Sequence, residues 1–257
     1  MIKTYYRPTS LDETLKLLAD PKKKAKPLGG GTSISRHEGP DIAVVDLQEL
    51  GLDKIIKRGG RITAEAMVRL DALMRHPDTH DELRKAISLD VTQNMRNMST
   101  LGGWLISNQG RSIFSTLLLA LDASLTWQPG DKKIRMGDWL PIRKFNPPGL
   151  LITEITWWSQ PKLVFEYVAR SPQDEPIVIV AVAQWGSGRT RVALGGFGEA
   201  PIIAMDGPDE SGADVACRDA FHEAEDQWAS AVYRREVASK LAKRCMARIN
   251  AQSESED

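Results

Sequence analysis

The sequence contains little cysteine and no excess of charge of either sign. Only Cys217 and Cys245 are cysteine, so this chain alone cannot ligate an iron–sulfur cluster or an all-cysteine zinc site. Lysine and arginine total 34, aspartate and glutamate also total 34, and the formal net charge is +0. A protein that binds nucleic acid or an anionic membrane surface needs a basic excess, so both classes are disfavoured.

Long apolar runs and a histidine cluster are missing too. No stretch reaches the about 18 apolar residues that cross a bilayer, and the opening MIKTYYRPTS has no apolar signal-peptide segment. His76 and His80 are four residues apart, but Pro77 would interrupt a helix between them, and His37 and His222 stand alone. We therefore predict a cytoplasmic globular protein with no membrane span and no metal site.

Hydrophobic periodicity predicts an α+β protein. A capping box of Ser10 and Glu13 opens an amphipathic helix in TSLDETLKLLAD, and DIAVVDL indicates a short buried strand. We predict buried or amphipathic helices in SIFSTLLLALDA and in SAVYRREVASKLAKRCMARI, and helices on both sides of Pro77. Strands are predicted in SLTW and LLITEITWW, and three more, LVFEYVAR, IVIVAVAQW and TRVALGGF, are spaced like an antiparallel meander.

Two glycine clusters, KPLGGGTSIS and STLGG, carry the clearest chemical signal. Backbone amides in a glycine-rich loop can converge on an anion, because no Cβ blocks close approach, and Thr32 and Ser33 would add hydroxyl donors. Two such loops facing each other could hold the two phosphates of a dinucleotide without a cationic side chain. Neither cluster is a Walker loop or a G-x-G-x-x-G fingerprint, and the alternative for each is a simple turn between a helix and a strand.

The order of these motifs resembles the FAD-binding medium subunit of molybdenum hydroxylases, the family of the carbon monoxide dehydrogenase flavoprotein and the xanthine dehydrogenase flavin domain. The similar segments are YYRPTSLDETLKLL, KPLGGGTSI, VVDLQELGLDKI, QNMRNMSTLGG with LLLALDASL, FEYVAR and SAVYRREVASKLAKR, and they cover nearly the whole chain.

The resemblance implies a small N-terminal α/β domain (1–55), a larger α+β domain (56–160) and a C-terminal three-stranded antiparallel meander packed with helices (161–257). FAD would lie with its pyrophosphate between the glycine loops. The implied cofactor contacts are Leu28, Gly29, Gly30, Gly31, Thr32, Ser33, Ile34, Ser99, Thr100, Leu101, Gly102, Gly103, Trp104, Asn108, Leu151 and Tyr167.

The same resemblance implies an electron relay. The flavin subunit would take electrons from an iron–sulfur small subunit with [2Fe–2S] clusters, itself reduced by a molybdopterin large subunit. It would pass them to NAD or another acceptor in a heterotrimeric complex. This chain would be an oxidoreductase component with no activity on the substrate by itself.

Three positions depart from the family pattern. Trp104 stands where an asparagine is usual, Ile113 where an acid contacts the flavin nucleotide, and Tyr167 where a lysine is common near the flavin. An alternative function is therefore a flavin-free scaffold that docks the iron–sulfur and molybdenum subunits. A third hypothesis, a stand-alone dinucleotide-dependent oxidoreductase, has no catalytic acid–base pair or nucleophile to support it.

Overall fold

The computed structural model describes residues 2–36, 39–172 and 174–254; His37 and the end of the predicted tail, 255–257, lie outside these ranges. The strands are β1 (Ile2–Tyr6), β2 (Ala25–Leu28), β3 (Ile42–Asp46), β4 (Ile55–Arg58), β5 (Arg61–Glu65), β6 (Ser124–Gln128), β7 (Lys132–Arg135), β8 (Leu151–Trp158), β9 (Lys162–Val168), β10 (Val178–Gln184), β11 (Thr190–Gly195) and β12 (Ile202–Gly207). The α-helices are α1 (Leu11–Ala19), α2 (Leu70–Arg75), α3 (Asp81–Asp90), α4 (Gln93–Met98), α5 (Leu101–Ser107), α6 (Ile113–Ala120), α7 (Met136–Trp139), α8 (Ala213–Ala220) and α9 (Ala231–Glu254).

The chain forms two compact units. The first comprises residues 1–79, 91–107 and 124–157, and the second comprises 80–90, 108–123 and 158–257. Helices α3 and α6 pack against each other and on strands of the second unit, which is why they belong to it. The three consecutive domains expected from the sequence, with boundaries near residues 55 and 160, stay a prediction.

A parallel sheet of three strands, in the order β1-β3-β2, opens the first unit. Every residue of the central strand β3 is buried, as its apolar sequence IAVVD predicts. Helix α1 packs on β2 and β3, and its first turn is capped by Ser10, whose Oγ accepts a hydrogen bond from the Glu13 amide at 3.3 Å. The predicted first helix, its cap and the following strand are confirmed.

The first unit also contains a sheet of five strands in the order β4-β5-β8-β6-β7. Strand β6 pairs antiparallel with both β7 and β8, and β4 pairs antiparallel with β5. Helix α5, which carries the second glycine cluster, packs against β5. This sheet therefore supports one side of the candidate site described below.

The second unit is built on a sheet of four strands in the order β12-β11-β10-β9, in which neighbouring strands are antiparallel. Three strands were expected here from the sequence, and this number is wrong: β12 was missed because its apolar stretch IIAM is short and ends in Asp206 and Gly207, and none of its residues is buried. Strand β10 is buried along nearly its whole length. Its valines face α8 and α9, while Ile179 on the opposite face approaches Gly195.

Helix α9 is anchored by a fully buried guanidinium. Arg234 is 0% exposed and donates to the carbonyl oxygens of Ile177, Ala224 and Ala229 and to the Asp226 carboxylate, at distances of 2.8–3.1 Å. Burial acts to raise the pKa of Asp226, but the hydrogen bonds from Arg234 and from two backbone amides outweigh it and lower this pKa to about 2. These contacts fix the start of α9 against the segments that carry Ile177, Ala224 and Asp226.

The N-terminus of α6 is capped by a carboxylate from α3. Asp90 accepts hydrogen bonds from the Ser112 hydroxyl at 2.6 Å and from the Ile113 and Phe114 amides at 2.9 Å each. Burial raises the pKa of Asp90 to about 6 despite these three donors. Within the described part of the chain, no helix combines the length and apolarity needed to cross a membrane.

Candidate functional site

The first glycine cluster forms the loop that follows β2. Strand β2 runs parallel to β3 as far as the pairing of Leu28 with Asp46, and the Leu47 amide then donates to the Leu28 carbonyl at 3.1 Å. The chain next passes through Gly29, Gly30 and Gly31 into a short 3-10 helix, Ile34–Arg36. The loop is thus held at one end by the pairing of β2 with the buried strand β3.

Close packing and backbone conformation explain why this loop contains three glycines. A Cβ atom on Gly29 would lie 2.6 Å from the Thr100 hydroxyl, and one on Gly30 would lie 1.8 Å from the Met98 carbonyl oxygen. Gly31 has φ of +74°, a left-handed conformation that side chains other than glycine rarely adopt. Each glycine is therefore required by the fold before any ligand is considered.

The backbone amides of this loop are available to a ligand. Among the described residues, the amides of Gly30, Gly31, Thr32 and Ser33 donate to no backbone carbonyl and to no side chain. Four successive amides without an internal partner form the kind of concave donor set that binds phosphate or another anion. The loop therefore has the open amides that anion binding would need, and the binding itself stays a prediction.

The second glycine cluster is arranged differently, because its amides are already used. The amides of Leu101 and Gly102 donate to the carbonyls of Val68 and Ala66 at 2.8 Å, and the Trp104 amide donates to the Thr100 carbonyl at 2.8 Å. The Gly103 amide donates to the Thr100 hydroxyl at 3.2 Å. This cluster starts helix α5, so the prediction that both loops offer free amides applies to the first loop only.

The two clusters nevertheless meet, as expected from the sequence. Besides the contacts of Gly29 and Gly30, the Ser99 hydroxyl lies 3.4 Å from the Thr32 hydroxyl. Ser99 and Thr100 are buried, at 1% and 2% exposure. Gly102 allows the second cluster to pack closely against Ala66, since a Cβ on Gly102 would lie 2.9 Å from the Ala66 Cβ.

A cavity of about 630 Å³ lies beside this junction, entirely within the first unit. Its lining residues are Lys26, Pro27, Gly29, Gly30, Gly31, Thr32, Ser33, Ile34, Ile42, Leu47, Ala66, Met67, Thr100, Gly102, Gly103, Ile106, Ser107, Trp127, Asn146, Leu150, Leu151 and Ile152. The lining combines the open amides of one loop with a largely apolar wall, and none of the described residues that line it carries a carboxylate. Such a cavity suits a ligand with an anionic part and a flat, apolar part.

Most of the contacts predicted from the resemblance lie at this cavity. The predicted residues that line it are Gly29, Gly30, Gly31, Thr32, Ser33, Ile34, Thr100, Gly102, Gly103 and Leu151. Leu28, Ser99 and Leu101 stand behind the lining, where they hold the two loops in place. Their contact with a cofactor stays a prediction.

Three predicted contacts are not part of the lining. Trp104 lies on α5 and is partly buried, but the cavity residues of that helix are Gly102, Gly103, Ile106 and Ser107. Asn108 and Tyr167 belong to the second unit, where Asn108 donates to the Ser115 hydroxyl at 2.8 Å and Tyr167 stacks on Phe165. Ile113, the third departure from the family pattern, is buried in α6.

Several lining residues were not found from the sequence. Met67 and Asn146 come from isolated positions far from either glycine cluster, and no spacing signal marks them. Trp127 is 4% exposed and its ring lies 5.8 Å from that of Trp139, and it also lines the cavity. Among the described residues, no cluster of three histidine, cysteine or carboxylate side chains could hold a metal ion.

Comparison with known proteins agrees with this geometry. Residues 1–156 match the family described as FAD binding domain in molybdopterin dehydrogenase. The chain belongs to this family. The resemblance inferred from the motifs is thereby confirmed, and the matched residues contain both glycine clusters and the whole lining of the cavity.

Relatives of this FAD-binding-domain protein match over nearly its full length. The Escherichia coli K12 protein named uncharacterized protein YgfM is 27% identical over 249 residues, 94% of each chain. A chain of quinoline 2-oxidoreductase from Pseudomonas putida 86 superposes with a TM-score of 0.78 at 22% identity, over 96% of both chains. A chain of reconstituted CO dehydrogenase from Oligotropha carboxidovorans gives 0.80 at 23% identity, over 96% of this chain and 97% of that one. The two structural matches establish a shared fold.

Proposed function

We propose that this chain is the FAD-carrying electron-transfer subunit of a molybdenum hydroxylase complex. The observation that carries the proposal is the set of open amides at Gly30–Ser33, which line a cavity with a largely apolar wall. The diphosphate of FAD would be held by these amides, and the flavin or the adenine would be sheltered by the apolar lining. FAD supplies the redox chemistry when bound, and the protein binds and orients it.

The proposed binding of FAD in this cavity does not require the three residues that depart from the family pattern. Trp104 does not line the cavity, so its indole is no obstacle to a ligand there. Ile113 and Tyr167 reduce the number of polar partners elsewhere, and loss of a charge-assisted hydrogen bond costs about 1.5–3 kcal/mol. The flavin-free scaffold is therefore the less favoured function, and it is retained as an outcome of the experiment.

The partners in this proposal are an iron–sulfur subunit and a molybdopterin subunit. Cys217 and Cys245 are both buried and free, and burial raises the pKa of the Cys217 thiol to about 12, so neither is suited to bind a cluster. Electrons would then have to come from another chain and leave to NAD or a different acceptor. A cytoplasmic location and a heterotrimeric complex are part of the same proposal.

An absorbance spectrum and a flavin titration test the proposal directly. The purified chain should carry FAD, or take up one equivalent of added FAD with quenching of flavin fluorescence. A colourless chain that fails to take up FAD would refute flavin binding and favour the scaffold. Turnover of a small substrate by the chain alone, with no partner, would contradict its assignment as a relay component.

A further inference from the structure

A single arginine stands where the two glycine clusters meet. The Arg69 guanidinium donates through Nη1 to the Met98 carbonyl oxygen, and Nη1 lies 3.1 Å from the position that a Cβ on Gly30 would occupy. Arg69 is therefore beside the peptide that begins the row of open amides. It does not line the cavity itself but stands directly behind Gly30, which does.

The backbone around Arg69 fixes this position. Arg69 pairs with Thr100 in an isolated antiparallel bridge, the Leu70 amide donates to the Ser99 carbonyl at 3.0 Å, and the Leu101 amide donates to the Val68 carbonyl at 2.8 Å. The segments around Arg69 and Thr100 therefore form one hydrogen-bonded pair, and the guanidinium is carried on it. The backbone on both sides of Arg69 is fixed by these hydrogen bonds, and its side chain is fixed by the hydrogen bond to Met98.

The charge of Arg69 is not neutralised by any residue that the structure describes. Among the described residues, no carboxylate forms an ion pair with it, and its side-chain hydrogen bond to Met98 uses one nitrogen on a neutral carbonyl. The neighbouring arginine Arg96 differs, since it lies 3.9 Å from the Asp71 carboxylate. A guanidinium presents five donors, so Arg69 retains donors and a full positive charge for an anion at Gly30.

We propose that Arg69 is a cationic residue of the diphosphate site, in addition to Lys26 of the cavity lining: it holds the second cluster against the first through Met98, and its charge attracts the phosphates that the Gly30–Ser33 amides bind. This inference rests on the proposed function. It revises the expectation that the two loops would hold a diphosphate without a cationic side chain.

The test compares three variants of the full chain after removal of any bound flavin. Arg69→Gln removes the charge but keeps a polar group, Arg69→Lys restores the charge without the planar fork, and Arg58→Gln is the matched control. Arg58 is an exposed arginine at the end of β4, away from the cavity lining. The probes are FAD and inorganic pyrophosphate, each titrated at low and at high salt, and urea unfolding checks that each variant is folded.

Arg69→Gln should weaken FAD and pyrophosphate binding about tenfold and flatten the salt dependence of both, because the positive charge beside the phosphate-binding amides is lost. Arg69→Lys should recover most of the affinity, and Arg58→Gln should stay within about twofold of the wild type. Unchanged affinity and salt dependence in Arg69→Gln would overturn the inference while leaving FAD binding intact. Equal losses in Arg69→Gln and Arg69→Lys with an unchanged salt dependence would assign Arg69 a packing role only and would also overturn it.

The same experiment separates this inference from the proposed function. A wild-type chain that binds pyrophosphate through Arg69 but takes up no FAD would refute the flavoprotein and support the anion site. A wild-type chain that binds neither probe would overturn both.

Discussion

The packing of the two glycine clusters can be tested by adding one methyl group to Gly30. Its φ angle lies outside the left-handed region, so loss of unfolded-state entropy alone would make Gly30→Ala stabilising by about 0.4–1 kcal/mol. The structure predicts the opposite sign. The added Cβ would lie 1.8 Å from the Met98 carbonyl oxygen and 2.7 Å from its carbon, far inside van der Waals contact.

The cost depends on which atoms must move. The Met98 carbonyl belongs to the backbone and is held by Arg69, so it cannot rotate away as a side chain would. Overpacking of this kind costs about 1–3 kcal/mol, and separating the loops would also displace the open amides. We expect Gly30→Ala to unfold at a urea concentration about 1 M lower than the wild type, for a slope near 2 kcal/mol per M. Its FAD affinity should fall at least about tenfold.

Gly59→Ala is the control for this experiment. Gly59 lies in the β4–β5 turn with φ of +56°, and a Cβ there would meet no atom within 4 Å. It should cost about 1–2 kcal/mol through backbone strain and leave FAD binding unchanged. A Gly30→Ala chain at least as stable as the wild type, with wild-type FAD affinity, would show that the loops do not press together as described.

Three further predictions concern residues outside the open loop. Arg234→Met should lower the free energy of unfolding by about 3–5 kcal/mol, because three carbonyls lose the guanidinium donor and Asp226 loses one of its donors while keeping Arg111 and two backbone amides. The partly exposed Arg235→Met should change it by less than about 1 kcal/mol, with both variants measured by urea unfolding. Because the pKa of Asp90 is raised to about 6 from an ordinary value near 4, the folded chain binds the extra proton and stability should fall as pH rises from about 4 to about 6. Asp90→Asn should flatten the dependence of the free energy of unfolding on pH between about 4 and 6. An unchanged dependence would mean that Asp90 does not titrate in this range. Trp104→Asn, which restores the family residue, should change FAD affinity by less than about threefold, since Trp104 does not line the cavity.

Local sequence signals were sufficient for much of the fold. The helix capped by Ser10, the buried strand β3 and the apolar strand β10 were all predicted from hydrophobic period and capping residues, because these elements bury their side chains in the way their patterns indicate. Strand β12 was missed for the converse reason: none of its residues is buried, and its place in the sheet comes from pairing with β11.

The site was only partly predictable from the chain. Adjacent glycines can be recognised directly in the sequence, so the first loop could be predicted from it. Arg69 and Met67 could not be found, because they reach the junction through the pairing of one segment with another about 30 residues later. No spacing rule within a single segment encodes that pairing.

The contrast between the two clusters shows what a glycine motif can and cannot indicate. Both contain adjacent glycines and hydroxyl residues, and both need those glycines because backbone or side-chain atoms approach closely. Only the first leaves its amides without internal partners, whereas those of the second are used by the start of α5 and by the segment Ala66–Val68. Close packing therefore explains the glycines in both loops, and it is the state of the amides that separates an anion site from a tight junction. The first amides of a helix have no partner within that helix, so the amides of the second cluster are closed by the Val68 and Ala66 carbonyls and by the Thr100 hydroxyl, and among the described residues the first loop has no such neighbouring acceptors. The cofactor-binding assignment therefore depends on the first loop and Arg69 together, with the second cluster as their support.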